Sequence, residues 1–127
     1  MITIWTVGHS TRSAEEFAQL LLAHEVQVLV DVRSFPGSRR YPQFNRAALA
    51  ESLKQVGIEY KHEPRLGGRP KPSIDSEAFR KGVEDLLEVA EKSRTAIMCA
   101  EALWKRCHRK LIADYVKLAG HNVIHII

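Results

Sequence analysis

Two kinds of hydrophobic pattern alternate along the chain. Short β-like runs lie at 2–7, 26–32, 58–62, 95–99 and 122–127. Between them, apolar residues recur at the spacing of amphipathic helices. The run at 26–32 is almost wholly apolar and rich in valine, which is typical of a strand buried on both faces of a parallel sheet.

Helices are predicted between these strands. The first covers about 14–24 and begins with Ser13 and Glu16, which form an S-x-x-E capping box. Gly57 and Gly120 follow the second and fourth helices, where a left-handed C-terminal residue belongs. The inner faces of the other helices are predicted to be Leu49, Leu53 and Val56 after the cap Asn45, then Phe79, Val83, Leu86, Leu87 and Ala90, then Leu111, Tyr115 and Leu118.

The resulting order, β-α-β-α-β-α-β-α-β, is typical of a parallel sheet with helices on both faces. We expect one α/β domain over 1–127, a three-layer sandwich with a mainly parallel five-stranded sheet. Such a domain is Rossmann-like or flavodoxin-like. The pattern alone leaves the strand order open.

Composition supports one soluble domain. The chain has 127 residues, 45% hydrophobic and 27% charged. No apolar run approaches the roughly 18 residues of a membrane span, and the N-terminus lacks a signal-peptide pattern. We therefore expect a cytoplasmic protein with no membrane contact and reduced cysteines. A net charge of +4 permits an anionic ligand without requiring one.

Most residue types that perform chemistry follow the predicted strands. In open parallel sheets, ligands bind outside the carboxyl ends of the strands, so these residues are expected to meet at one edge. They are Gly8, His9, Ser10, Thr11 and Arg12, then Asp31, Arg33 and Ser34, then His62, Arg65, Leu66, Gly67, Gly68 and Arg69, then Cys99, Glu101, Arg106, Cys107, His108 and Arg109.

The two cysteines are candidate nucleophiles. Cys107 stands near the start of the fourth helix beside Arg106, His108 and Arg109. Helix N-termini and neighbouring cations stabilise a thiolate. Cys99 ends an apolar strand, so it reads equally well as a buried small hydrophobe.

A metal site is the alternative for the same residues. Cys99, Cys107 and His108 would supply ligands, with His9 or Glu101 as a fourth. Structural zinc sites show tighter cysteine pairs than these. The chain has neither a Walker loop nor a G-x-G-x-x-G motif, and we assign no cofactor and no metal.

The segment 33–46 is the candidate anion-binding loop. Asp31 and Arg33 are either a site pair or an ion pair that shapes the loop. Tyr41 and Phe44 lie among arginines, a combination that suits phosphates and stacked bases. The alternative is a solvated basic loop. Backbone groups near Ser10, Gly67 and Gly68 are further candidates for ligand contacts.

Taken together, these motifs resemble domain-of-unknown-function family 488 from about residue 4 to 126. The resemblance implies an α/β fold and a set of motif positions, and it implies no reaction. The runs that carry it are Gly8-His9-Ser10-Thr11, Val30-Asp31-Val32-Arg33 with Pro36 and Ser38, Phe44, Gly57-Ile58 with Tyr60, Leu66-Gly67-Gly68, Cys99-Ala100-Glu101 and Cys107-His108-Arg109.

The residues favour a small enzyme that acts on an anionic substrate, such as a nucleotide or a nucleic-acid component. The alternatives are a nucleic-acid-binding module that uses 33–46 and a metal-dependent hydrolase. In the enzyme hypothesis Arg33 and Arg109 hold the anion, Cys107 or Cys99 is the nucleophile, His9 or His108 is the general acid or base, and Asp31 or Glu101 orients it.

Overall fold

The computed structural model describes residues 2–34, 36–37, 40–67, 76–100 and 109–126. The strands are β1 (Thr3–Gly8), β2 (Val28–Asp31), β3 (Glu59–His62), β4 (Thr95–Cys99) and β5 (Asn122–His125). The helices are α1 (Ala14–Ala23), α2 (Arg46–Gln55), α3 (Glu77–Lys92) and α4 (Arg109–Leu118), with short 3-10 helices at Pro42–Phe44 and Pro64–Leu66.

The five strands form one sheet in the order β3-β2-β4-β1-β5. Every neighbouring pair of strands is parallel. The predicted α/β class with a parallel five-stranded sheet is therefore confirmed. The order, which the sequence pattern left open, differs from both the usual dinucleotide-binding order and the flavodoxin order.

Two apolar clusters cover the two faces of the sheet. Consecutive side chains of a strand point to opposite faces. One face of the strands packs against α1 and α2, and the other face packs against α3 and α4. In β4, Met98 belongs to the first cluster and Cys99 to the second.

The connections place a topological switch point at β4. The chain leaves β1 and β2 towards the β3 edge of the sheet, whereas it leaves β3 and β4 towards the β5 edge. Strands whose connections run in opposite directions therefore lie side by side on both sides of β4. In open parallel sheets such a crevice, outside the carboxyl ends of the strands, is where ligands bind.

Local signals set the helix ends as predicted. Ser13 and Glu16 form the reciprocal capping box of α1, each bond 3.0 Å long. Gly57 and Gly120 have φ angles of +81° and +91°, which are left-handed conformations that favour glycine. None of the helices in the described ranges is both long and apolar enough to cross a membrane.

Two predicted inner faces were wrong at one end. Val56 is 37% exposed because it is the C-cap of α2, beyond the last buried turn. Leu118 is 84% exposed, and Leu111 and Tyr115 are only partly buried. The buried stripe of α4 begins with a charged residue. A search for apolar residues does not count it, and so the pattern predicted a different face of the helix. The members of the buried stripe are Arg109, Ile112, Ala113 and Val116.

Candidate functional site

The ends of β1 and β4 are joined beyond the last paired residues. The His9 amide donates to the Cys99 carbonyl at 3.0 Å, and the Ser10 amide donates to the Ala100 carbonyl at 2.9 Å. Ser10 has a φ of +49°, in the left-handed region that non-glycine residues rarely occupy. This turn holds His9 at the carboxyl end of β1, next to the switch point.

His9 is 3% exposed and lies between aromatic rings. Its ring stacks on Phe44 with centroids 4.4 Å apart, and it meets the edge of Tyr41 at 6.1 Å. Its Nδ1 lies 2.9 Å from the Ser10 carbonyl oxygen. Because a carbonyl oxygen only accepts, Nδ1 carries the hydrogen and Nε2 has the lone pair.

Burial lowers the pKa of His9 below its usual 6.5. The positive charges of Arg33 and Arg12 act in the same direction. The hydrogen bond to Ser10 and the carboxylate of Asp31 oppose them. The neutral form of the imidazole is therefore favoured at pH 7.

Asp31 and Arg33 form a buried ion pair at the end of β2. Arg33 Nε donates to Asp31 Oδ1 at 2.9 Å, and its Nη2 donates to Oδ2 at 2.8 Å. The same Nη2 donates to the Phe44 carbonyl at 2.7 Å. Asp31 is fully buried and Arg33 is 8% exposed. Arg33 thus fixes Phe44 to β2, and two of its three guanidinium nitrogens are engaged inside the protein.

Two residues of β3 complete this network, and the sequence analysis missed their roles. The Tyr60 hydroxyl donates to Asp31 Oδ2 at 2.5 Å, and burial together with this bond raises the pKa of Tyr60. His62 Nε2 donates to the Arg33 carbonyl at 2.7 Å. The available signal was their alternation in a strand, which places both side chains on one face.

Gly67 lies where two protein segments pack too closely for a side chain. A Cβ there would collide with Ser34, whose backbone nitrogen lies 2.9 Å from the Cβ position. Gly67 therefore joins the loop after β3 to the loop after β2. The predicted contact of Gly67 with a ligand stays a prediction.

Phe44 and Tyr41 differ in exposure. Phe44 is fully buried, with His9 on its face and Phe17 at 5.3 Å from its centroid. Its faces are covered by protein, so it offers no surface for a nucleic-acid base. Tyr41 is partly buried, and Arg40 lies over its ring at 5.6 Å.

The side chains of Cys99 and His9 are not brought together, although their backbones are hydrogen-bonded. The Cys99 side chain is 2% exposed and belongs to the apolar cluster under α3 and α4. The His9 ring packs on Phe44, which belongs to the cluster under α1 and α2. The sheet separates the thiol from the imidazole.

Arg109 lies away from His9, at the carboxyl end of β5. It is fully buried at the start of α4. Burial, Lys117 and Arg109 lower the pKa of His125 to about 4. His125 Nδ1 also lies 2.5 Å from the Thr6 hydroxyl. Arg109 is therefore part of a second buried polar group, on the opposite face of the sheet from His9.

The remaining site predictions fall on Gly68, Glu101, Cys107 and His108, which lie outside the described residues. Within the described ranges, no group of three or more histidine, cysteine, aspartate or glutamate side chains is arranged to hold a metal ion.

Comparison with known families agrees with this fold and these motifs. The model of the family described as domain of unknown function DUF488 matches residues 13–73 and 71–116, which is more than half of the chain. The chain belongs to the DUF488 family. The resemblance noted in the sequence is thereby confirmed. No curated protein matches the chain.

The description of the DUF488 family names no reaction. The family match begins at Ser13, after His9, and includes Asp31, Arg33 and Phe44. Phe44 stacks on the imidazole of His9, and Asp31 and Arg33 act on it through their charges.

Proposed function

We propose that this protein is an enzyme that acts on an anionic, phosphate-bearing substrate at the carboxyl edge of the sheet, with His9 as its general base. One observation carries the proposal. The Nδ1 hydrogen of His9 is fixed on the Ser10 carbonyl at 2.9 Å, which leaves the Nε2 lone pair for the substrate.

A general base must be unprotonated at the working pH and must point in a fixed direction. Burial meets the first requirement, because it lowers the pKa of His9 below 6.5. The Phe44 stack and the Ser10 bond meet the second. Nε2 accepts no hydrogen bond from any residue in the described part of the chain.

The charges near the imidazole favour an anionic substrate. Arg12 acts on His9 electrostatically, and Arg40 lies over the Tyr41 ring that borders it. The net charge of +4 agrees with this sign. Positive charges at the mouth of a site raise the local concentration of anions.

In the proposed reaction, Nε2 of His9 accepts the proton of the attacking group as that group bonds to the phosphorus of the substrate and the bond from phosphorus to the leaving group breaks. The attacking group is a water molecule or the Cys107 thiol predicted from the sequence, and with the thiol a second step follows in which water hydrolyses the covalent intermediate and frees the thiol. The imidazolium then returns the proton to the leaving group. Cys99 takes no part, because its side chain packs on the other face of the sheet.

The contacts favour the enzyme over a nucleic-acid-binding module. Such a module would use the arginines and aromatic rings of 33–46. Arg33 is bound to Asp31, and Phe44 is fully buried. Two of its expected contact residues are therefore engaged inside the protein.

The test is hydrolysis of p-nitrophenyl phosphate and bis(p-nitrophenyl) phosphate by the wild type, His9→Gln and His24→Gln. Loss of a general base lowers kcat by about 100- to 10,000-fold. His24 is the matched control, because its Nδ1 also bonds a backbone carbonyl, that of Leu20 at 3.0 Å, at the other end of α1. Equal rates for wild type and His9→Gln would contradict the role of His9. No turnover of either ester would contradict the substrate class.

A further inference from the structure

We propose that Arg12 binds the anionic group of the substrate beside His9. This inference rests on the proposed function, and it assigns to Arg12 the role that the sequence analysis gave to Arg33 and Arg109. Arg12 stands in the turn between β1 and α1, directly after the switch point.

The backbone of Arg12 is fixed on both sides. Its amide donates to the His9 carbonyl at 3.1 Å. Its carbonyl accepts a hydrogen bond from Gln43 Nε2 at 3.1 Å. The guanidinium is also held, since Nη1 donates to the Gly8 carbonyl at 2.5 Å. The charge therefore has a defined place over the end of β1.

Arg12 keeps most of its hydrogen-bonding capacity. A guanidinium has five N–H donors, and Arg12 uses one of them, on Gly8. Its other N–H groups make no hydrogen bond within the described ranges, and the residue is only partly buried. The exposed Glu16 carboxylate interacts with its charge without bonding it. Arg33, by contrast, uses Nε and Nη2 inside the protein, and Arg109 has no exposed surface.

The charge of Arg12 reaches the imidazole. Burial is the main cause of the lowered pKa of His9, and Arg12 adds to it. An anion bound to Arg12 would offset that charge and raise the pKa of His9. The substrate group would thus be positioned beside the base, and His9 would report its arrival.

The unused N–H groups of a guanidinium match the two oxygens of a phosphate or carboxylate. The shared ligand chemistry is an oxyanion that accepts two parallel hydrogen bonds. Inorganic phosphate and acetate are the probes that distinguish the two sources.

The experiment follows the Ser10 amide by NMR, and also the Arg12 Nε–H in the proteins that keep Arg12, while phosphate or acetate is added to the full chain. We compare the wild type with Arg12→Gln and with Arg80→Gln, an exposed arginine on α3 that makes the same change in net charge. Loss of a charge-assisted hydrogen bond weakens binding by about tenfold or more. We expect that loss in Arg12→Gln and wild-type binding in Arg80→Gln. Tighter binding of phosphate than of acetate identifies a phosphate site, and the reverse identifies a carboxylate site.

Equal binding in the wild type and Arg12→Gln would overturn the inference, as would the absence of saturable shifts with both anions. Arg12→Lys guards against a folding defect, because lysine keeps the charge and is expected to restore part of the affinity. In the hydrolysis of a p-nitrophenyl phosphate ester by this protein, Arg12→Gln is expected to raise KM more than it lowers kcat. If Arg12→Gln binds phosphate more weakly while His9→Gln turns over normally, the anion site at Arg12 is supported and the role of His9 as base is rejected. The opposite pattern would reject Arg12 and keep the base.

Discussion

The two faces of the sheet differ sharply at its carboxyl end. On the face covered by α1 and α2, His9 stacks on Phe44, and the Asp31 carboxylate accepts hydrogen bonds from Arg33 and the Tyr60 hydroxyl. On the face covered by α3 and α4, the end of β4 carries Cys99 among apolar side chains, and the polar residues Arg109 and His125 lie at the end of β5. Both sets follow from the alternation of side chains along the same strands. A candidate residue that is close to a strand end in the sequence can therefore lie on either face of the sheet, and the strand end alone does not predict which one.

On the face under α1 and α2, the polar side chains around Asp31 are held together by hydrogen bonds to one another. Asp31 accepts from the Arg33 side chain, the Arg33 amide and the Tyr60 hydroxyl. A buried carboxylate is tolerated when it is paired and hydrogen-bonded in this way. The same arginine holds the Phe44 carbonyl, so the network also fixes the ring on which His9 stacks.

The largest expected effect comes from breaking this network. Asp31→Asn leaves Arg33 buried without its countercharge, and removing one partner of a buried pair costs about 3–5 kcal/mol of unfolding free energy. Urea denaturation measures the loss. Glu59→Gln is the matched control on the neighbouring strand, since its partner Lys61 is exposed and the pair is 3.6 Å apart. Such surface pairs contribute about 0–1 kcal/mol. Equal losses for the two variants would show that the Asp31–Arg33 pair is not buried as described.

A smaller effect is expected when one buried phenylalanine on each face of the sheet is replaced. Phe44→Leu and Phe79→Leu each shrink a buried ring, and each is expected to cost about 1–2 kcal/mol. Only Phe44 stacks on His9, so only Phe44→Leu is expected to expose the imidazole and raise the pKa of His9 towards 6.5. Histidine NMR titrations of both variants measure this. A rise of the same size in Phe79→Leu would break the contrast between the faces.

The pH dependence of stability gives a third comparison. The pKa of His9 is lowered in the folded protein, so below pH 6.5 the unfolded state binds more protons and the folded state is disfavoured. Stability therefore falls as the pH drops through this range, by at most about 1.4 kcal/mol per pH unit for one proton. His125, whose pKa is lowered to about 4, acts with the same sign.

His9→Gln is expected to remove part of this fall and to leave the part due to His125. Urea unfolding at pH 7 and pH 5 measures both contributions when His125→Gln is included. An identical pH dependence in the wild type and His9→Gln would show that His9 titrates normally in the folded state.

The smallest effect is expected at Cys99. Its side chain is 2% exposed and lies in the apolar cluster under α3 and α4, so iodoacetamide should modify the thiol only after the protein unfolds. Cys99→Ala should leave the titration of His9 unchanged, because the sheet separates the two side chains. Site-resolved mass spectrometry follows the modification. Rapid labelling of Cys99 in the native protein would contradict its burial.

The sequence predicted the elements well because their signals are local. The capping box at Ser13 and the left-handed glycines act within one turn of each helix end. The displaced face of α4 shows the limit of the apolar pattern. Arg109 begins its buried stripe, and a charged residue is not counted as apolar.

The site was predicted only in part, because its contacts join residues distant in the chain. His9, Asp31 and Phe44 were named in advance, and the structure brings them together. The bond from Tyr60 to Asp31 depends on β3 lying beside β2, and the strand order is not written in the pattern. The placement of Cys99 away from His9 depends on the faces, which a list of strand ends does not contain.

The most direct test is an NMR titration of the His9 ring in the wild-type protein, with assignment of its tautomer. We expect a pKa below 6.5 and a neutral ring with its hydrogen on Nδ1, donated to the Ser10 carbonyl. A pKa at or above 6.5, or a hydrogen on Nε2, would contradict the assignment of His9 as the base.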